Sequence, residues 1–116
     1  MESNLIIKKE EKEMFMYRNV LPGFVVKCKE RELTTDYLNR NQKSFYGKAR
    51  IIETENGTVY LQSYTTIVCK IENGQFLRCW AGYSATTAKH IDAFRRENGL
   101  AGISKKEWDK LPVVGI

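Results

Sequence analysis

From Lys48 onward, β-branched, aromatic and other apolar residues alternate with polar ones. The same triplet interrupts the alternation twice, as Glu55-Asn56-Gly57 and Glu72-Asn73-Gly74. Asn-Gly accepts positive φ at both central positions, which a tight type I′ hairpin turn requires. Period-two alternation of such residues marks strands covered on one face. The pattern predicts strands at about Lys48 to Thr54, Thr58 to Tyr64, Thr65 to Ile71 and Gln75 to Trp80. With Asn73-Gly74 as a two-residue loop, Ile71 faces Phe76, Ile67 faces Trp80, and Cys69 shares their face. With Asn56-Gly57 as the other loop, Ile52 faces Leu61 and Thr54 faces Val59. Little but the turn recurs, so the arrangement reads as a meander and not as a repeat. Upstream, Phe24 to Lys29 reads as a strand following the turn signal Leu21-Pro22-Gly23. Leu5-Ile6-Ile7 reads as a short strand, Met14 to Val20 alternates weakly, and Thr34 to Asn41 is polar, a short helix or a loop.

After Trp80 the period changes. Ser84 is placed as an N-cap, Thr87, Ala88, Ile91 and Phe94 line one side at helical spacing, and Arg95 and Arg96 suit the negative end of the helix dipole. Asn98-Gly99 supplies a left-handed stop, which predicts a helix over 84–98. Ser104-Lys105-Lys106-Glu107 is a capping box, flanked by Ile103 and Trp108 as a hydrophobic staple, and Leu111-Pro112 closes this second helix. The tail Val113-Val114-Gly115-Ile116 is expected to dock on the core or extend as an edge strand. The chain therefore reads as one α+β domain over residues 1–116, with 1–13 a partly ordered segment. An antiparallel β-meander of four or more strands carries two C-terminal helices packed on one face. Ile52, Val59, Leu61, Ile67, Ile71, Phe76, Trp80, Ile91, Phe94 and Trp108 are the expected core.

Composition adds bounds. The chain has 116 residues, 42% hydrophobic and 28% charged, enough to bury a core without metal or disulfide staples. No apolar run reaches bilayer length, and the charged N-terminal stretch lacks a signal-peptide core. Three cysteines, Cys28, Cys69 and Cys79, form no CxxC motif, and a single histidine completes no usual zinc spacing. Free thiols in a reducing cytoplasm are the simplest reading, with neither metal nor cofactor expected; a Cys69–Cys79 bond across neighbouring strands is the less favoured alternative.

Catalysis finds little support. His90 lies two residues from Asp92, and positions two apart on a helix point in different directions. No serine or cysteine sits in a nucleophile elbow, and there is no P-loop or GxGxxG. His90 is therefore expected to be an ordinary exposed or half-buried helical residue, with an enzyme using His90 as the weakest reading. Nucleic-acid binding is better motivated. Lys and Arg number 19 against 14 Asp and Glu, a net charge of +5. Arg40 to Arg50 contains no acid and interleaves cations with Phe45 and Tyr46, so that cations can meet phosphates and rings can stack on bases. The candidate contact residues are Lys43, Phe45, Tyr46, Lys48, Arg50, Lys89, Arg95 and Arg96, and Lys105, Lys106 and Lys110 form a further basic group. Basic runs are also commonly a solvated face. Tyrosines on the sheet, among them Tyr60 and Tyr64 on the face opposite Val59 and Leu61, would alternatively serve as protein-interface anchors.

Three stretches carry a resemblance: Gln42-Lys43-Ser44-Phe45-Tyr46-Gly47-Lys48-Ala49, Tyr64-Thr65-Thr66-Ile67-Val68-Cys69 and Tyr83-Ser84-Ala85-Thr86-Thr87-Ala88-Lys89-His90-Ile91. Together they resemble a family of small uncharacterised proteins carried by bacteriophages and other mobile elements, over about Gln42 to Gly99. The resemblance implies an accessory gene expressed in the cytoplasm of a bacterial host. Such genes encode nucleic-acid-binding regulators and also anti-CRISPR-type inhibitors of host defence. The expectation is thus a non-catalytic binder of nucleic acid or a nucleoprotein complex. The alternative is an inhibitor that binds a host Cas effector.

Overall fold

Among the described residues, alternating apolar residues between turn signals form six strands, which a computed structural model arranges in one antiparallel sheet in the order of the chain. The structure describes residues 16–21, 24–33 and 48–116, and their side chains from 27 onward. The strands are β1 (Met16–Leu21), β2 (Phe24–Glu32), β3 (Ala49–Thr54), β4 (Val59–Ser63), β5 (Thr66–Glu72) and β6 (Gln75–Arg78). Two helices follow, α1 (Ala85–Glu97) and α2 (Lys105–Lys110). The expected α+β architecture is the observed one. The predicted Leu5-Ile6-Ile7 strand, the Thr34 to Asn41 segment, Lys43, Phe45 and Tyr46 lie outside the described residues.

Both helices pack on the same sheet face. Leu33, Ala49, Ile51, Leu61, Val68 and Cys69 form a single core with Ile91, Ala93, Phe94 and Trp108, and Val59, Ile71, Phe76 and Trp80 pack at its margin. A smaller cluster on the far face gathers Cys28, Ile52 and Tyr60 with Ile67 and Ile116. The tail docks, and it touches the sheet edge through a single bridge without forming an edge strand. Val113 bridges Arg78 in parallel, the Val114 amide donates to Arg78 O at 2.8 Å, and Ile116 joins the far cluster.

Three expectations are corrected. In the first hairpin Ile51, not Ile52, faces Leu61, and Glu53, not Thr54, faces Val59. The loop is one residue longer than a type I′ turn, with Gly57 alone at positive φ (89°), and a one-residue slip moves every side chain to the other face. Ile52 consequently belongs to the far cluster. On β5, Leu61 pairs with Cys69 but Gln62 with Ile67, leaving Val68 as an extra residue. This β-bulge turns Val68 and Cys69 toward the helices and Ile67 away from them, and β6 ends at Arg78 before a partner for Ile67 is reached. Tyr60, expected to be an outward anchor, is 5% exposed and donates its hydroxyl to Ile116 O at 3.2 Å. Burial, followed by Glu72 and Cys79, pushes the Tyr60 phenol up. The second hairpin follows the expected register, Ile71 opposite Phe76, with Asn73 and Gly74 at φ 53° and 76°.

Both helix starts match the caps read from the sequence. Ser84 Oγ accepts from the Thr87 amide at 3.1 Å. At α2, Ser104 Oγ accepts from the Glu107 amide at 3.1 Å while the Glu107 carboxylate accepts from the Ser104 amide at 3.0 Å. These backbone and hydroxyl contacts with Ser104 hold the Glu107 carboxyl below its usual range. A depressed folded-state pKa contributes stability that is present above the unfolded pKa and lost as pH falls through the folded one. Ser104→Ala removes the hydroxyl contact and keeps the amide, so it is expected to move the Glu107 midpoint up only part of the way toward the ordinary carboxylate value in an NMR titration. Acidification of the wild type should expose the α2 amides to hydrogen exchange in the same pH window.

Candidate functional site

The β3–β4 ladder and the β4–β5 turn bring Lys48, Ala49, Ser63 and Tyr64 to one corner of the sheet, against the first turns of α1. Ala49 pairs with Ser63, and the amide of the next residue, Tyr64, donates to Lys48 O at 2.7 Å. Ser63 is the third inward position of β4 after Val59 and Leu61, so its hydroxyl points at α1. There it meets Thr87 Oγ1 at 3.0 Å and His90 Nδ1 at 2.8 Å. Thr87, His90, Ile91 and Phe94 recur at helical spacing and form the stripe of α1 turned toward the sheet.

His90 is thus neither exposed nor half-buried, as expected from sequence, but fully buried, at 0% exposure, and Ser63 beside it is 2% exposed. Its place one turn after Thr87 and one before Phe94 puts the ring under the sheet, where an inward hydroxyl satisfies it. The signal in the sequence was Ser63 itself: a hydroxyl at an inward strand position requires a polar partner across the layer.

Tyr64 covers this buried group. Its ring lies 5.9 Å from that of His90, tilted by 44°, and the residue is 49% exposed. Tyr64 takes φ 57°, which a bulky side chain rarely adopts. The conformation is held from both sides, because the Tyr64 carbonyl also accepts from Gln62 Nε2 at 2.8 Å. Thr65, the other residue of the turn, is exposed.

The sequence-chosen cations divide between the two sheet faces. Lys48 is exposed beside Tyr64, and Lys89 is exposed on α1 next to His90. Arg50 lies between the helix-facing Ala49 and Ile51 and so turns to the far side, where Nε meets the buried Glu30 carboxylate at 3.2 Å. Arg95 is used within the fold: its guanidinium lies 4.5 Å from the Phe76 ring centre, and Nε donates to Ala101 O at 2.7 Å. Arg96 is exposed in the last turn of α1. Of the further basic group, Lys105 pairs with Asp109 at 2.7 Å and lies 5.4 Å from the Tyr83 ring, while Lys106 and Lys110 are exposed. Arg31 ties β2 to Glu97 of α1.

Among the described residues, no group of three or more His, Cys, Asp or Glu side chains could hold a metal ion, and no helix is long and apolar enough to cross a membrane. All three cysteines are free thiols. Burial pushes the Cys69 thiol well up, and burial raises Cys79 too, so neither is a ready thiolate.

The model of a family of unknown function (DUF8033) matches residues 34–110, from before the basic stretch to the end of α2. No curated protein and no solved structure matches the chain.

Proposed function

The chain belongs to this family of unknown function, and we propose that it acts by binding nucleic acid or a nucleoprotein complex, without turnover, as an accessory protein of a bacteriophage or mobile element. The observation that carries this reading is the corner itself. An aromatic side chain is presented half-exposed on a strained turn that is bonded to the backbone of Lys48 and packs on His90 of α1, and Lys48 and Lys89 of these neighbouring segments are exposed. Cations meet phosphates at long range and rings supply short-range stacking. The net charge of +5 favours the encounter with a polyanion. Binding is favoured over catalysis because, among the described residues, the pair with the chemistry of a nucleophile and its base, Ser63 and His90, is buried beneath Tyr64.

The test is fluorescence anisotropy with labelled oligonucleotides across a salt series. Affinity should fall linearly in log–log form. Lys48→Glu combined with Lys89→Glu should weaken binding and flatten the slope by about 1.4 for a single strand, two contacts at ~0.7 each. Absence of binding to DNA and to RNA at low salt overturns the reading. A protein effector captured from nuclease-treated host lysate would instead favour a defence inhibitor.

A further inference from the structure

We propose that Tyr64 is a base-stacking residue and that the ligand class it selects is single-stranded nucleic acid, an inference that rests on the nucleic-acid reading above. The argument begins with the backbone. A left-handed turn residue is normally glycine, asparagine or aspartate, because a larger side chain strains it. The neighbouring β5–β6 hairpin follows that rule with Asn73 and Gly74, whereas the β4–β5 turn places tyrosine at φ 57°. Strain of this kind persists where the surroundings over-determine it, and it collects at binding sites. Here the surroundings are explicit: Lys48 O on the Tyr64 amide, Gln62 Nε2 on its carbonyl, and the His90 ring behind its own. His90 is in turn fixed by Ser63. The ring is therefore aimed before any ligand arrives, which reduces the entropic cost of binding.

The surroundings also choose the ligand. An anchor for a protein partner sits in an apolar patch. The other large apolar residues exposed in the described chain are Tyr83 just ahead of the Ser84 cap, Leu100 beyond the opposite end of α1, and Val113 at the β6 edge. The turn instead offers the exposed hydroxyl of Thr65, with the cations Lys48 and Lys89 on the elements that hold it. A half-exposed ring held at the backbone of Lys48, in a chain of net charge +5, fits one base and the phosphates beside it. In a duplex both faces of a base are already stacked, so a ring at a turn tip finds a partner only on an unpaired base.

The experiment measures the affinity of the whole chain, by anisotropy at low salt, for an oligothymidylate and for a duplex of equal length. Thermal denaturation is recorded on the same preparations of wild type, Tyr64→Phe, Tyr64→Gly and Tyr64→Asn. Wild type and Tyr64→Phe should bind the single strand more tightly than the duplex. Tyr64→Gly and Tyr64→Asn should lose about tenfold in affinity for the single strand only. Their melting temperatures should not fall in step with affinity, since relief of the left-handed strain offsets much of the lost contact with His90. Equal affinity for strand and duplex, with both variants binding as wild type does, overturns the inference and leaves the nucleic-acid reading standing. A melting temperature that falls in step with affinity makes the ring a structural element and overturns the inference too. Failure of wild type to bind these oligonucleotides and their RNA counterparts removes both.

Discussion

Arg78→Ala is expected to lower the stability of the fold by about 3–5 kcal/mol, the combined scale of leaving several buried carbonyls without their donor and of opening a void. Arg78 is 6% exposed on the helix-facing side of β6. Its Nε donates to Trp80 O at 2.8 Å and Nη2 to Ala81 O at 2.7 Å, which shapes the chain leaving the sheet. Nη1 donates to Trp108 O at 2.8 Å and Leu111 O at 3.2 Å, carbonyls at the C-terminal end of α2 where helix partners run out. The guanidinium also lies 4.7 Å from the Trp108 ring centre, and Trp108 Nε1 donates to Gly82 O at 2.9 Å. One side chain thus joins the last strand, the linker and the short helix. Alanine would leave those carbonyls desolvated without their donor and a void beside the tryptophan. In a domain of this size the melting temperature should drop by more than ~10 °C. Arg78→Lys should restore only part of the loss, because an ammonium cannot span the same fork of acceptors. Arg96→Ala, on the exposed side of α1, should stay within about 0.5 kcal/mol of wild type in the same urea or thermal denaturation. A similarly small effect at Arg78 would show that packing alone docks α2.

The two Glu-Asn-Gly triplets show how far the hydrophobic pattern carries and where it stops. Both were read as two-residue loops, and the second is one. In the first, Thr54 and Thr58 flank a three-residue loop in which the Gly57 amide returns to Thr54 O at 3.0 Å and the Thr54 amide to Thr58 O at 2.9 Å. Asn56 explains the choice: its Oδ1 accepts from the Thr54 hydroxyl and from the Thr58 amide, the latter at 3.2 Å. These contacts hold Asn56 out of the left-handed region that a type I′ turn would demand. The second triplet has no threonines beside it. The difference was therefore written in the flanking residues, and dipeptide chemistry alone passed over it. The β5 bulge was less legible. Val68 and Cys69 are both acceptable inside, so neither face assignment conflicted with composition, and only the partner strand decides between them.

The candidate site divides in the same way. The caps, the helix and its cations were legible because they depend on residues close in sequence. The corner was not, because Ser63, Tyr64 and His90 meet only once β4 and α1 are stacked. Two inward positions could still have been read as anomalies, since a hydroxyl at Ser63 and a guanidinium at Arg78 both interrupt otherwise apolar faces. Each turned out to organise its surroundings. A polar group at an apolar position is costly unless partnered, so its presence forecasts a specific contact across the layer.

His90 is where the competing readings part most sharply. His90→Ala is expected to destabilise the chain by about 2–4 kcal/mol, because it empties a fully buried site and leaves the Ser63 hydroxyl without the imidazole. His90→Asn should recover much of this, since the asparagine amide group reaches the position of Nδ1 and can still bond Ser63. His90→Gln should recover less, because its amide reaches toward Nε2 and crowds the space under Tyr64. If His90 works by supporting Tyr64, single-strand affinity should follow the same order, wild type first, then Asn, then Gln, then Ala. The salt dependence should stay unchanged throughout, because none of these variants touches Lys48 or Lys89. A catalytic His90 would behave differently, with Asn as inactive as Ala whatever its stability. Anisotropy and thermal denaturation on the four proteins separate the cases: affinity that follows stability and the Ser63 bond identifies a supporting residue, and affinity indifferent to His90 disconnects the buried pair from the surface above it.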